Sequence, residues 1–171
     1  MLHFTIEKKL NERDSHRSDN DVLAVSEIWQ GAERLAAALT FSKTFSAIAP
    51  GLEQDVEMVG GAVDPRKVFP DWAPEKQNAL LRRGVFAPST YGRVRFHHRS
   101  TQEYLTARWL EGLLKAGCPF SKIHDLIFAT TYGVTTVRPS VRATAAWLSS
   151  KNAEIRNAVL KTDPLILIQH G

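Results

Sequence analysis

The sequence is poor in cysteine: Cys118 is the single cysteine among 171 residues. A lone cysteine forms no disulfide within the chain, so we expect a reducing compartment. The sequence also has no apolar run near the roughly 20 residues that a membrane-spanning helix needs, and its N-terminus lacks the apolar core of a signal peptide. These absences predict a cytoplasmic protein with no membrane partner.

Motifs typical of nucleotide-binding proteins and of hydrolases are absent as well. The sequence has no G-x-x-x-x-G-K-[ST] loop, no G-x-G-x-x-G turn and no G-x-S-x-G nucleophile elbow. His97 and His98 are adjacent, so in a strand they point to opposite faces and make poor ligands for one metal ion. We therefore predict no catalytic residue, no metal site and no enzyme activity from this chain alone.

The composition that remains is that of an ordinary globular protein. Hydrophobic residues make up 43% and charged residues 23%, which is enough apolar material for a core. The formal net charge is +4 and the isoelectric point is near 9.4. This mild basic excess permits contact with phosphates or nucleic acid, but it is also typical of a solvated surface.

The middle of the sequence predicts a winged-helix domain over residues 21–117. Apolar residues recur every three or four positions from Val22 to Leu39, which predicts a helix of about five turns, and weak alternation from Leu39 to Ala47 predicts a short strand. Asp64-Pro65 and Pro74 are typical helix starts. Two alternating runs around a turn then predict a hairpin from Val85 to His97.

A further helix is predicted directly after this hairpin. Ser100 and Glu103 have the spacing of a capping box, and Gly117 is placed to end the helix. Glu103 is explained by this capping position, so we do not interpret it as a general base. Helices followed by a hairpin and a last helix have the order of a winged helix.

The two ends of the chain differ from this middle. Residues 1–20 become strongly polar, which predicts the trailing end of a preceding helical domain or a linker. Residues 118–171 predict short helices, several with proline in the first turn, as at the start of a helical-repeat (HEAT-like) array. The expected fold class is mainly α: a winged-helix-like domain with a small β-hairpin, then the start of a helical repeat array. Both ends look cut, so we expect a fragment of a larger protein.

One stretch resembles a known family. Arg95–Leu110, R-F-H-H-R-S-T-Q-E-Y-L-T-A-R-W-L, resembles the Phe-x-His-x-Ser-x-Gln-Glu-aromatic-x-Ala stretch that closes the winged-helix domain of NACHT-type STAND NTPases. These are multidomain signalling switches that include animal inflammasome receptors and bacterial anti-phage proteins. Glu33–Leu39 resembles an earlier helix of that domain, while Ala145–Leu148 and Asp163–Leu165 resemble the start of the helical-repeat sensor in bacterial members.

The resemblance implies a function for His98. The histidine at this position in the family contacts the β-phosphate of bound ADP and holds the closed state. The resemblance thus implies a regulatory segment that senses the ADP state and couples it to a repeat sensor, in signal transduction and antiviral defence. Walker A and Walker B segments are absent, so ADP or ATP would be bound only with an ATPase core, in cis or in trans.

The residues also allow a second interpretation, a stand-alone DNA-binding winged-helix protein with a helical oligomerisation tail. The helix from Pro74 to Arg83 would then enter the major groove. Self-association into a homo-oligomer, and contact with other protein domains, is compatible with both interpretations. The basic residues expected to contact phosphates in the second are Arg82, Arg83, Arg93, Arg95 and Arg99.

Overall fold

The computed structural model describes residues 2–12, 22–49 and 61–170, and this part of the chain is mainly helical, as the sequence predicts. The chain divides into two compact units between Gln102 and Glu103. That division falls within a helix of 17 residues, whereas the sequence places a domain boundary near the end of this helix. The two units are described separately.

The first unit contains three strands and four complete helices among its described residues. A fifth helix begins in this unit and continues into the second. In chain order the elements are α1 (Leu2–Asn11), α2 (Val25–Phe41), β1 (Ala47–Ile48), α3 (Pro65–Val68), α4 (Pro74–Leu81), β2 (Phe86–Ser89), β3 (Arg93–Phe96) and α5 (Arg99–Lys115).

The three strands form an antiparallel sheet in the order β1-β3-β2. Ala47 pairs with Val94, and Phe86 pairs with Phe96. The rings of Phe86 and Phe96 lie 4.7 Å apart on the buried face of the sheet. The β2–β3 hairpin lies where the sequence predicts one and is called the wing below, whereas the assignment to a winged helix stays a prediction.

Helix α2 supplies much of the core of this unit. Its buried residues follow the predicted three- and four-residue spacing, and they include Ile28, Ala32, Leu35, Ala36 and Leu39. The strand predicted over residues 39–47 is wrong for most of its length, because the helix continues to Phe41. Lys43 then takes a left-handed conformation (φ 56°), and the amide of Thr44 donates to the carbonyl of Leu39, which closes the helix end.

Polar contacts fix both the start of α3 and the turn between α3 and α4. Asp64 accepts a hydrogen bond from the amide of Arg66 at 2.9 Å, as expected of an N-cap before Pro65. The buried side chain of Gln77 donates to the carbonyls of Phe69 and Trp72, at 3.2 and 3.0 Å. The carbonyl of Phe69 also accepts from the amide of Trp72 at 3.1 Å, so the two Gln77 bonds add to a turn that the backbone already closes.

Helix α5 begins earlier than the sequence predicts. The amide of Thr101 donates to the carbonyl of His98 at 3.1 Å, so His98 is the N-cap residue and Ser100 lies within the first turn. The predicted Ser100–Glu103 capping box is therefore wrong. Strand β3 ends at Phe96 and the helix begins at Arg99. Because only two residues connect them, the N-cap position falls at His98 and not at Ser100.

The second unit opens with the rest of α5 and contains four more helices and one hairpin. Its elements are α6 (Phe120–Ile127), β4 (Phe128–Thr131), β5 (Val134–Val137), a 3₁₀ turn (Pro139–Val141), α7 (Arg142–Ser149), α8 (Ala153–Thr162) and α9 (Leu165–His170). The predicted short helices are confirmed. Whether they start a repeat array stays a prediction.

The hairpin of β4 and β5 has no counterpart in the sequence prediction. Thr131 pairs with Val134 across a two-residue turn, in which Tyr132 and Gly133 both have positive φ angles of 52° and 79°. Such a turn favours Asn-Gly or Asp-Gly, because these residues adopt left-handed conformations readily. Tyr-Gly is not one of these dipeptides, so the sequence pattern does not predict this hairpin.

The helices of the second unit bury one face each. Leu148 of α7, Ile155 and Val159 of α8 and Ile166 of α9 are buried. The side chain of Asn152 caps α8 by accepting from the amide of Ile155 at 2.9 Å. Across residues 2–12, 22–49 and 61–170, no helix has the length and apolar character needed to cross a membrane.

Gly31 marks a close approach in the first unit and generates the first prediction. A Cβ atom at this position in α2 would lie 2.6 Å from the ring of Trp72 and 2.9 Å from the side chain of Leu80. We expect Gly31→Ala to lower the free energy of unfolding by roughly 1–2 kcal/mol, because overpacking exceeds the gain in helix propensity. Urea denaturation followed by circular dichroism measures the change.

Gly112 supplies the matched control for this substitution. It is also helical, but it is exposed, and a Cβ atom there would meet nothing within 4 Å. Gly112→Ala should therefore raise the free energy of unfolding by about 0.5–1 kcal/mol. Stabilisation by both substitutions would show that α2 is not packed tightly against Trp72.

The ion pair between Glu27 and Lys76, at 2.6 Å, joins α2 to α4 and generates a prediction about pH. The hydrogen bond from Lys76 holds the pKa of the Glu27 carboxyl below its ordinary value of 4.5. A lowered folded-state pKa stabilises the fold above the unfolded pKa, and this contribution is lost as pH falls through the folded value. We expect Glu27→Gln to destabilise the protein at pH 7, and we expect this penalty to shrink as the pH is lowered below 4.5.

Thermal unfolding across this pH range checks the expectation. Glu7→Gln, on the exposed side of α1, is the control and should show a much smaller pH-dependent difference from the wild type. A Glu27→Gln penalty of the same size at pH 3 and pH 7 would mean that the charge of Glu27 contributes nothing.

Candidate functional site

The candidate site lies where strand β3 passes into helix α5. Phe96 is buried against Phe86 and anchors the end of the strand. The amide of His97 donates to the carbonyl of Val85 at 2.9 Å, which extends the hairpin by one more bond. The next residues, His98, Arg99 and Ser100, are all exposed. The chain therefore leaves the core at Phe96 and presents this junction to solvent.

The junction has the electrostatics of a helix N-terminus. The first-turn amides of an α-helix have no acceptors within the helix, and the aligned peptide dipoles add a partial positive charge there. Helix α5 is 17 residues long, and its cap is His98. Such an end favours anions, phosphate groups among them.

Aromatic and cationic side chains surround the cap. The imidazole rings of His97 and His98 lie 5.8 Å apart, tilted by 38°. The guanidinium of Arg99 lies over the ring of Phe45, 5.7 Å from its centre, within the range of a cation–π contact. Phe45 belongs to the loop between α2 and β1, so two segments distant in sequence meet beside the cap. The sequence predicts Phe45 only as part of the short strand over residues 39–47, and no pattern there indicates a contact with Arg99.

A buried hydrogen bond holds the start of α5 in place. The amide Nε2 of Gln102 donates to the hydroxyl of Thr40 at 3.0 Å, and both residues are buried. Thr40 lies in the last turn of α2, so this bond fixes the first turn of α5 against α2. No sequence pattern predicts this pair, because a threonine on an apolar helix face is common.

One of the arginines proposed to contact DNA is turned inward. Arg83 is only 9% exposed, and its Nη1 atom donates to the carbonyl of Leu10 at the end of α1 at 3.4 Å. Arg82 is exposed just after α4. Arg93 and Arg95 lie on the same face of β3, where Arg95 is exposed and Arg93 is half-buried. Arg99 lies at the start of α5, with its guanidinium over the ring of Phe45.

The helix proposed to enter a major groove offers few base-reading side chains. On α4, Lys76 is paired with Glu27, and Gln77 is turned inward to the carbonyls of Phe69 and Trp72. Glu75 is exposed, but its carboxylate would face the phosphates of DNA. The geometry of α4 therefore favours a packing role in the first unit.

Among residues 2–12, 22–49 and 61–170, no group of three or more His, Cys, Asp or Glu residues comes together in a way that could hold a metal ion. Cys118 is half-buried after the end of α5 and has no place in the candidate site.

Comparisons with known proteins add no family to this description. The chain matches no family model, no curated protein and no solved structure.

The Gln102–Thr40 bond generates a prediction about the site's support. Replacing Thr40 with valine removes the hydroxyl and leaves the buried Gln102 amide without that acceptor, so we expect a loss of about 1–3 kcal/mol in the free energy of unfolding. Thr130→Val is the control. Its hydroxyl bonds to that of Thr135 at 2.8 Å in an exposed position, so its loss should cost about 0.5 kcal/mol or less. Equal costs in chemical denaturation would contradict the supporting role of Thr40.

Proposed function

We propose that this chain is the winged-helix and adjoining helical-repeat part of a NACHT-type STAND NTPase switch. The observation that carries the proposal is the position of His98: it is exposed, it directly follows the wing, and it caps a long helix. The family resemblance assigns a phosphate contact to this residue. A phosphate is also the ligand that a helix N-terminus favours on physical grounds.

The burial of the resembling stretch supports the proposal. Thr101, Gln102, Leu105 and Ala107 are buried, whereas His98 and Ser100 are exposed. The buried residues pack inside the protein, so this part of the stretch has a structural role. The exposed polar residues of the stretch can be reached by a ligand; they are Arg95, His97, His98, Arg99 and Ser100. The stretch thus contains a buried structural face and an exposed face suited to an anion.

The proposed role is regulatory. The imidazole of His98 would donate a hydrogen bond to a phosphate oxygen of ADP, next to the positive end of α5. Because the bond is made in the ADP-bound closed state, it lowers the free energy of that state relative to the open one. The nucleotide supplies the phosphate charge, and this chain supplies a donor, a helix end and a repeat region that links the switch to a sensor.

The proposal has consequences for partners and location. The required partner is an ATPase core, joined to this chain or carried by another. A single cysteine fits a reducing cytoplasm. The biological context that the resemblance suggests is anti-phage defence.

The DNA-binding alternative has less support. Its recognition helix contributes Lys76 and Gln77 to contacts within the first unit, and Arg83 is buried at the end of α1. Arg95 remains an exposed cation on the wing, and it could contact a phosphate in either interpretation. We therefore retain DNA binding only as the second candidate.

The proposal predicts that His98→Ala weakens ADP binding in the protein that includes the ATPase core. Hydrogen bonds to charged groups contribute about 1.5–3 kcal/mol, so the ADP dissociation constant should rise about tenfold or more. Isothermal titration with ADP measures it, and the nucleotide retained after purification should fall in parallel.

His97→Ala is the matched control for this experiment. His97 is the neighbouring exposed imidazole, and its hydrogen bond to Val85 is made by the backbone, so the substitution leaves the hairpin intact. ADP affinity should change by less than about twofold. Equal losses in both variants, or none in either, would contradict the role given to His98.

A further inference from the structure

Strand β3 and the residue after it carry a row of basic side chains on one face. Arg93, Arg95 and His97 occupy every second position, so they lie on the face opposite to the buried Phe96. His97 belongs to the row because its amide extends the hairpin by one more bond. Arg95 and His97 are exposed, and Arg93 is half-buried. Successive members of the row are roughly 7 Å apart along the strand.

The neighbours of this row within the sheet carry no negative charge. Strand β3 is the central strand in the order β1-β3-β2. Arg93 is paired with Ile48 on one side and Ser89 on the other, and Arg95 is paired with Ala87. Residues paired across strands lie on the same face of a sheet. None of these three partners is acidic, and the small side chain of Ala87 leaves the guanidinium of Arg95 open to solvent.

Positive charge is concentrated in the part of the sequence around this row. Residues 76–102 contain six Lys and Arg residues and no Asp or Glu, whereas the whole chain has a formal net charge of only +4. The rest of the chain is therefore net negative. Lys76 is paired with Glu27 and Arg83 is turned inward, so the positive charge that faces solvent lies on the wing or beside it in sequence. Charge complementarity selects a polyanion as the partner of this surface.

An exposed aromatic side chain lies at one end of the row. Tyr91 is in the turn of the wing, two residues before Arg93, and it is 73% exposed. Proteins bind single-stranded nucleic acid with cations that follow the phosphates and with aromatic rings on which bases stack. Tyr91 and the row of cations supply both kinds of contact. An acidic polypeptide or a lipid headgroup would need only the cations.

A single strand fits this surface better than a duplex does. A winged helix reads duplex DNA with a helix in the major groove, but Lys76 and Gln77 of α4 are engaged in contacts within the first unit. A sheet face with cations and an aromatic ring needs no groove, because the bases of a single strand are unpaired and can stack on the protein.

We propose that the wing face, formed by Arg93, Arg95 and His97 with Tyr91 at its end, binds single-stranded nucleic acid. The phosphates follow the row of cations, and a base stacks on Tyr91. The proposal does not depend on the proposed nucleotide contact of His98, which lies at the cap of α5. It also differs from the duplex-binding alternative, in which α4 carries the recognition.

Fluorescence anisotropy of the full chain with a labelled oligothymidine of about 20 nucleotides, long enough for one site, tests the proposal. The dissociation constant should rise steeply with salt. Arg95→Ala should raise it about fivefold or more at low salt, and should reduce the slope of log K against log salt by about 0.7, the value for one lost phosphate contact on a single strand. Tyr91→Asn should raise the dissociation constant about fivefold or more, through lost stacking, and leave the slope unchanged.

The other hairpin supplies matched controls. Tyr132→Asn makes the same change in the same left-handed conformation, with φ angles of 52° and 57° at the two tyrosines, and Arg138→Ala removes an exposed arginine next to β5. Each should change the dissociation constant by less than about twofold. All four variants should keep the thermal unfolding of the wild type within a few degrees, because the arginines are exposed and asparagine suits a left-handed position.

Four results would overturn the proposal. The first is no binding of the oligonucleotide at low salt, and the second is an equal loss in Arg95→Ala and Arg138→Ala, which would indicate bulk charge alone. The third is tighter binding of a duplex of the same length than of the single strand. The fourth is displacement of the oligonucleotide by polyglutamate at equal charge concentration, which would indicate an acidic protein as the partner.

Discussion

The buried hydrogen bond between Gln102 and Thr40 is the interaction on which the candidate site depends. It fixes the first turn of α5 against the last turn of α2, while Phe96 fixes the end of β3 on Phe86. Between these two anchors only a few residues are free of the core, and His98 is among them. The position of the helix N-terminus, and hence the direction of its positive end, follows from these two contacts.

Much of the first unit could be predicted from the sequence, because its signals are local. Apolar spacing predicts α2, Asp64-Pro65 predicts α3, and alternation around a turn predicts the wing. The errors lie where a tertiary contact overrides a local pattern. The strand predicted from Leu39 is replaced by a longer helix that Lys43 closes, and the capping box at Ser100 gives way to His98 because the hairpin ends so close to the helix.

The residues that the sequence did not reveal are those whose role requires distant partners. Phe45 meets Arg99 across more than fifty residues of chain, and Gln102 meets Thr40 at a similar separation. Neither pair has a fixed spacing that a pattern could detect. Arg83 is the opposite case. The basic residues near it in the sequence predict a contact with DNA phosphates, but its side chain turns inward and donates to the carbonyl of Leu10. The β4–β5 hairpin was missed because Tyr132 occupies a turn position that normally favours asparagine or aspartate.

The central claim is that this chain works with an ATPase core, and the coding DNA around its reading frame tests this most directly. Sequencing about a kilobase on each side should reveal a Walker A loop, G-x-x-x-x-G-K-[ST], upstream of residue 1 in the same frame or in an adjacent gene. That result would make His98 part of a nucleotide switch. If neither flank nor an adjacent gene encodes such a loop, the switch account is contradicted, and the exposed helix end at His98 would need a different anion.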